Sequence, residues 1–359
     1  MIDDPRKDLL EAVPIPPTAG LRGLADPVGF ATSAAQMDAV LTQARALADP
    51  RDRALAAHYA WTPDTAFAAA VCPHDDYAYA ARLYSLVVPH LRARTVFVFG
   101  VFHKARVFDC RDRLVFDSFD AWRGPYGPVT VSPVRDVLLA RLPSDDVLVD
   151  DAMQSVEHSV EGIVPWLAAE DREVEIVPIL VPAMNWSTLD RLAGAVAEAL
   201  AAILRDKGWC LGADVAIIAS SDAVHYGDTG WGGQNFADFG TDIEGYRKAV
   251  ERDRKLAAST LAGPLRRERL RTFLYTCVDR DDLTRYKVSW CGRFSVPCAL
   301  NIASRLSETL DGRTLEGTLL DYGTSVGEAS LDLDAPEGLG TTAPNNLHHW
   351  VGYAALGYR

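Results

Sequence analysis

The chain has 359 residues, 48% of them hydrophobic and 24% charged, and its formal net charge is −13. That is the composition of a globular protein with room for one large α/β domain or two smaller ones. No Lys/Arg-rich run offers a face to nucleic acid or to an anionic membrane, and no apolar stretch is long enough to span a bilayer.

In chain order, "MIDDPRKDLLEAVPIPP" is charged and proline-containing, with no signal-peptide core, so residues 1–20 are expected to form a loose arm and the protein to be cytoplasmic. The six cysteines form neither a CxxC pair nor a disulfide framework and read as mostly buried thiols. Ser33 is an N-cap for a helix placing Met37, Val40, Leu41, Ala44 and Leu47 on one face. Residues 66–74 then read as a strand, 78–91 as a helix and 95–103 as a strand. A strand over 173–182, a helix over 187–208 and a strand over 213–222 follow. The last third offers helices over 241–260 and 298–310 and strands over 314–325 and 350–358. Continuous apolar strands alternating with helices predict a single α/β/α sandwich over 21–359, its central sheet mixed but mainly parallel.

Three of these strands end alike. "VCPHDDY" puts His74 just past one, "FGVFHKA" puts His103 past the next, and "IIASSDAVHYG" puts Asp222 and His225 past a third. Ligands of open α/β sheets bind at the carboxyl ends of the strands, where such residues converge. Imidazoles joined by a carboxylate or thiolate suit zinc or non-haem iron, and serve equally in acid/base chemistry without a metal. "SVEHSVEGIVPWL" adds Glu157, His158 and Glu161, and "SWCGRFSVPCAL" sets Cys291 ahead of a helix, where a thiolate is stabilised.

Other features read more plainly. The glycine-rich segment 227–240 matches no phosphate loop and is either a surface loop or a lid carrying Trp231 and Phe236. His58, His90, His348 and His349 read as surface or helix-end histidines, and "DRDDL" (279–283) as a solvated acidic face. No GxSxG elbow surrounds Ser220 or Ser221, which argues against a serine hydrolase.

"PHDDY", "GVFH", "EHSVEGIVPWL", "SSDAVHYG", "CGR" and "YGTS…VGYAAL" stand in the order of the MEMO family motifs PHAGY, GPSH, EHSIE-x-x-LP-[FY]-L, SSD-x-x-H[YW], CGR and YxTSGD…VGYAA. "GLRGLADPVGFATSAAQMDAVLTQA" also resembles that family's opening segment, so the resemblance spans roughly residues 20 to 358. It implies a fold like the catalytic subunits of class III extradiol dioxygenases, with His74, His103 and Cys291 as metal ligands. His225 would be a fourth ligand or a proton shuttle. Asp222 would orient a histidine, and Glu157 and His158 would line the pocket, with His158 an acid/base. The chain departs from the family at Asp75–Asp76, which add negative charge and hard oxygens beside His74, at Val101–Phe102, and at Val326–Gly327–Glu328.

The expectation is a non-haem Fe(II)-dependent oxygenase acting with O₂ on a small aromatic or chelating substrate, with zinc or copper as the alternative metals. A zinc-type hydrolase and a non-catalytic metal-binding protein are the other readings. Partners are a small-molecule substrate and, in assembly, further copies of the chain, with no nucleic acid and no membrane.

Overall fold

Residues 4–62, 64–327, 330–332 and 339–359 are described by a computed structural model. Glu328, one of the departures noted above, lies outside them. Among the described residues, 13 strands join one mixed sheet flanked by helices, so the fold is α/β with a parallel centre. That centre runs Glu175–Val181, Thr95–Val101, Val215–Ser220, Ala69–Cys72, each strand parallel to the next. Beyond Ala69–Cys72, the strand His349–Tyr358 joins antiparallel and pairs in turn with Glu316–Thr324.

Alternation along each central strand explains why it is apolar throughout. Phe97, Phe99, Ile217 and Ile179 face one layer, which includes helices Trp186–Lys207, Arg267–Cys277 and Ser295–Asp311. Val96, Val98, Ile218 and Ile176 face the other, with helices Ala34–Tyr59, Tyr77–Val87 and Val164–Glu170. A strand covered on both faces has no position for a polar residue until it ends, so functional side chains collect at the strand ends.

Ser33 caps the 34–59 helix through a reciprocal capping box with Gln36. Its buried stripe runs Met37, Val40, Leu41, Ala44, Ala48, and Leu47 is 40% exposed instead. Ala48, four residues beyond Ala44, continues the stripe where Leu47 falls at its margin. The N-terminal segment is more ordered than a loose arm: Pro5–Glu11 is helical, Ile15 bridges Leu24, and Leu21–Arg22 pairs with Ala121–Gly124.

Candidate metal centre

His74, His103 and Asp222 each sit two residues past the end of their strand, and those strands are neighbours in the sheet. The side chains therefore arrive side by side. His225 follows on the short strand His225–Gly227, held antiparallel against His349–Tyr358. Cys291 comes from the loop ahead of the 295–311 helix, and that loop is strapped to the 221–225 segment. Cys291 N donates to the Ala223 carbonyl (2.9 Å), Gly292 N to Ser221 Oγ (2.9 Å), and His225 N to the Ser289 carbonyl (3.0 Å).

The donors face one another closely. Cys291 Sγ lies 3.2 Å from His103 Nε2 and 3.4 Å from His74 Nε2. Asp222 Oδ2 lies 3.4 Å from His74 Nε2 and 3.8 Å from His225 Nε2. His158 packs its ring 4.9 Å from that of His103 and 5.9 Å from that of His74.

The outer partners fix which nitrogen of each imidazole faces inward. Ser220 Oγ donates its own proton to the Ser159 carbonyl, so it must accept from His74 Nδ1 at 2.9 Å. His103 Nδ1 lies 2.8 Å from Glu157 Oε1, a carboxylate that also accepts from the backbone N of His103, His158 and Ser159. Both imidazoles thus have Nδ1 engaged by an outer acceptor and turn Nε2 toward Cys291, the arrangement outer carboxylates and hydroxyls impose on metal-ligating histidines.

Electrostatics agree with that donor set. Burial opposes ionisation of Cys291, but the facing imidazoles, His103 foremost, outweigh it and hold the thiol well below its ordinary range. Burial alone would raise Glu157, yet the His103 charge and hydrogen bonds hold it well below the carboxylate range. Burial and the His103 charge push His158 down to about 4. His225 loses to burial but gains more from Cys291 and Asp222, reaching about 9.

A metal bound at about 2.0–2.1 Å from imidazole nitrogen and about 2.3 Å from sulfur separates those donors by roughly 3.1–3.6 Å, for angles between right and tetrahedral. The two observed N···S distances fall in that range, and the ligand atoms of His74, His103 and Cys291 all lie within 4.8 Å of one another. His225 Nε2 is buried with no partner at hydrogen-bond distance among the described residues, a further donor atom left open at the same place. The residues present fit a thiolate-tolerant transition metal.

The Asp75–Asp76 pair adds no oxygen ligand to this cluster. Asp75 accepts from Tyr353 Oη at 2.6 Å, and Asp76 accepts from Thr342 N, Thr342 Oγ1 and Ala343 N. Both carboxyls are thereby turned away as structural acceptors. Glu161 also stands apart: it pairs with the fully buried Arg22, whose guanidinium reaches the Gln154 and Glu157 carbonyls and lies 4.4 Å from the Trp122 ring centre. Arg22 therefore pins the loop that carries Glu157, a role its position in "GLRGL" does not announce.

His349 is buried rather than at the surface, its ring stacked 3.9 Å from that of Trp231 and bonded to the Thr229 carbonyl. His348 is exposed beside Asp228. Trp231 reaches 5.1 Å from the His225 ring, and Phe236 lines a cavity of about 250 Å³ that His103, His225 and Cys291 also line. The 227–240 segment is thus a wall of the site.

The fold and the side-chain cluster define an α/β protein with a candidate His/His/Cys metal centre at the ends of its central parallel strands. A family model for Memo-like proteins matches residues 34–335, and the chain belongs to that family. It is 29% identical over 172 residues to a MEMO1 family protein of Thermococcus kodakarensis, covering 46% of this chain and 55% of that one. It is 30% identical over 161 residues to a MEMO1 family protein of Pyrobaculum aerophilum, covering 44% and 52%. A third, from Pyrococcus abyssi, is 30% identical over 167 residues, covering 44% and 53%. Each alignment spans about half the length of the relative. Among the described residues no helix is long and apolar enough to cross a membrane.

Proposed function

We propose that this chain is a metal-dependent enzyme of the non-haem iron oxygenase type, acting on a small aromatic or chelating substrate. The observation that carries the reading is the convergence of two inward-facing Nε2 atoms and one thiolate at 3.2 and 3.4 Å, beside a cavity. Fe(II) held by His74, His103 and Cys291 would supply coordination positions for substrate oxygens and O₂ and the electrons that activate them.

The remaining steps belong to the protein. His158, neutral at pH 7 and free of ring hydrogen bonds among the described residues, is the base that takes a proton from a docking hydroxyl. His225, held protonated by Cys291 and Asp222 when no cation is present, is the group that returns one. Asp222 orients His74 through its backbone N at 2.9 Å. Phe102, Phe236 and Phe294 line the cavity with apolar surface that limits water.

The test is oxygen uptake by anaerobically iron-loaded protein presented with catechols and hydroxybenzoates. The reading expects uptake with at least one of them and none in His74→Ala or His103→Ala. No uptake and no perturbation of the iron spectrum by any of them overturns it. One observation favours a second reading: a thiolate is a softer donor than the carboxylate of ordinary two-His oxygenases and suits zinc or copper. In that case the site would activate water for hydrolysis, or hold the metal without turnover.

A further inference from the structure

The cavity beside the metal centre carries an asymmetry of charge that the metal ligands do not explain. In a chain of net charge −13, no Asp or Glu among the described residues lines it, while Arg106 and Arg293 do. Neither guanidinium forms an ion pair among the described residues. Arg293 Nη1 is spent on the Trp290 and Cys291 carbonyls, at 2.7 and 3.3 Å. Its Nε is buried with no partner among the described residues. The Tyr286 ring lies against the guanidinium, its centre 3.8 Å from Cζ, and the same ring's hydroxyl accepts from Arg106 Nη2 at 3.2 Å.

Nη2 has no hydrogen-bond partner among the described residues and, unlike Nε, is not closed off from solvent, so it is the guanidinium donor open to a carboxylate oxygen. Phe102, Phe236 and Phe294 join Tyr286 around the rest of the space, and about 250 Å³ suits a single ring. We propose that Arg293 is an anion-recognition residue of this site, and that the substrate is a small, planar carboxylate seated with its carboxylate on Arg293 and its ring toward Cys291, His103 and His225. Arg106, exposed at the mouth, draws the anion in. The proposal rests on the metal-centre reading, because the ring end of the ligand is what would meet the metal. The negative charge of the Cys291 thiolate is offset by the imidazoles around it and, in that reading, by the cation.

The experiment is calorimetric titration of the full chain with benzoate and with benzamide, a neutral molecule of the same shape, as purified and after chelation. Benzoate is expected to bind about tenfold or more tightly than benzamide, and Arg293→Lys and Arg293→Gln to lose about tenfold or more of that affinity. Arg293→Lys keeps the charge and removes the planar guanidinium with its Nη2 donor, and the wild-type comparison needs no variant at all. Equal affinity for benzoate and benzamide overturns the proposal, as does unchanged benzoate affinity in either Arg293 variant while it melts like the wild type. Arg293-dependent benzoate binding that survives chelation upholds the anion site even where elemental analysis finds no metal, so the two readings fail separately.

Discussion

Glu157→Gln isolates the outer carboxylate from everything else at the site. The two Glu157 oxygens share four acceptor roles: Oε1 faces His103 Nδ1 and the His158 and Ser159 amides, and Oε2 faces the His103 amide at 2.7 Å. A glutamine amide must turn its NH₂ toward one of those donors. Its best orientation keeps the Oε1 contacts and sets NH₂ against the His103 amide, a loss of about 1–3 kcal/mol. The negative charge that sharpens His103 as a ligand disappears as well. Loss of an outer partner of this kind lowers metal affinity by about 10–100-fold, equivalent to about 1.4–2.7 kcal/mol. The assay is a chelator competition that reads the metal Kd of folded wild type and variant. A variant that binds within about twofold of wild type, with an unchanged melting curve, refutes the argument that Glu157 fixes His103.

Other perturbations act through packing and charge. Arg22→Met strips buried Glu161 of its cation, leaving it only the Ala25 and Asp26 amides, and takes the guanidinium from the Gln154 and Glu157 carbonyls; it is expected to cost about 3–5 kcal/mol in a urea melt, and a cost below about 1 kcal/mol contradicts the buried-pair account. Gly292→Ala places a Cβ 2.1 Å from Ser221 Oγ and 2.3 Å from Ser221 Cβ, so the strap holding Cys291 must shift; metal content should fall even where the protein still folds, and full occupancy would show that the loop tolerates the change. Asp253 is buried, with Oδ2 accepting from Tyr322 Oη and Oδ1 unpartnered, and burial lifts its pKa to about 6. At pH 3 the group is protonated folded or unfolded and costs nothing. As pH climbs from 3.8, the ordinary carboxyl value, to about 6 the unfolded chain ionises first, so stability falls and then levels. Asp253→Asn should therefore gain on wild type by roughly 2–3 kcal/mol between those pH values, and a pH-independent difference in melting temperature argues against it.

The sheet was legible because its central strands are apolar at both phases of the pleat, and because His74, His103 and Asp222 break that pattern at the same offset from each strand end. Sequence also placed Cys291, Glu157, His158 and His225 as candidates, and the structure gathers all of them around the same strand ends. The hairpin Ala121–Gly124 with Gly127–Val131 escaped notice because Pro125, Pro128 and short half-exposed strands mask its alternation. Helix Arg267–Cys277 was readable in principle, since Leu270, Phe273, Leu274 and Cys277 recur at helical spacing. What no local pattern carries is partnership across the chain. Arg22 meets Glu161 over 139 positions, and Asp75 meets Tyr353 over 278, which turns a pair expected to offer oxygens to a metal into structural acceptors. The role of Arg293 was hidden for a related reason: an unpaired nitrogen is a property of the folded surroundings, and the tripeptide "CGR" does not encode it.

On the reading proposed above, His74, His103 and Cys291 hold one metal ion. The experiment is elemental analysis by inductively coupled plasma mass spectrometry, on protein purified anaerobically from iron-supplemented cells. Close to one transition-metal ion per wild-type chain is expected, with that stoichiometry lost in His74→Ala and in His103→Ala. Full metal content in both variants, each still folded, would contradict it.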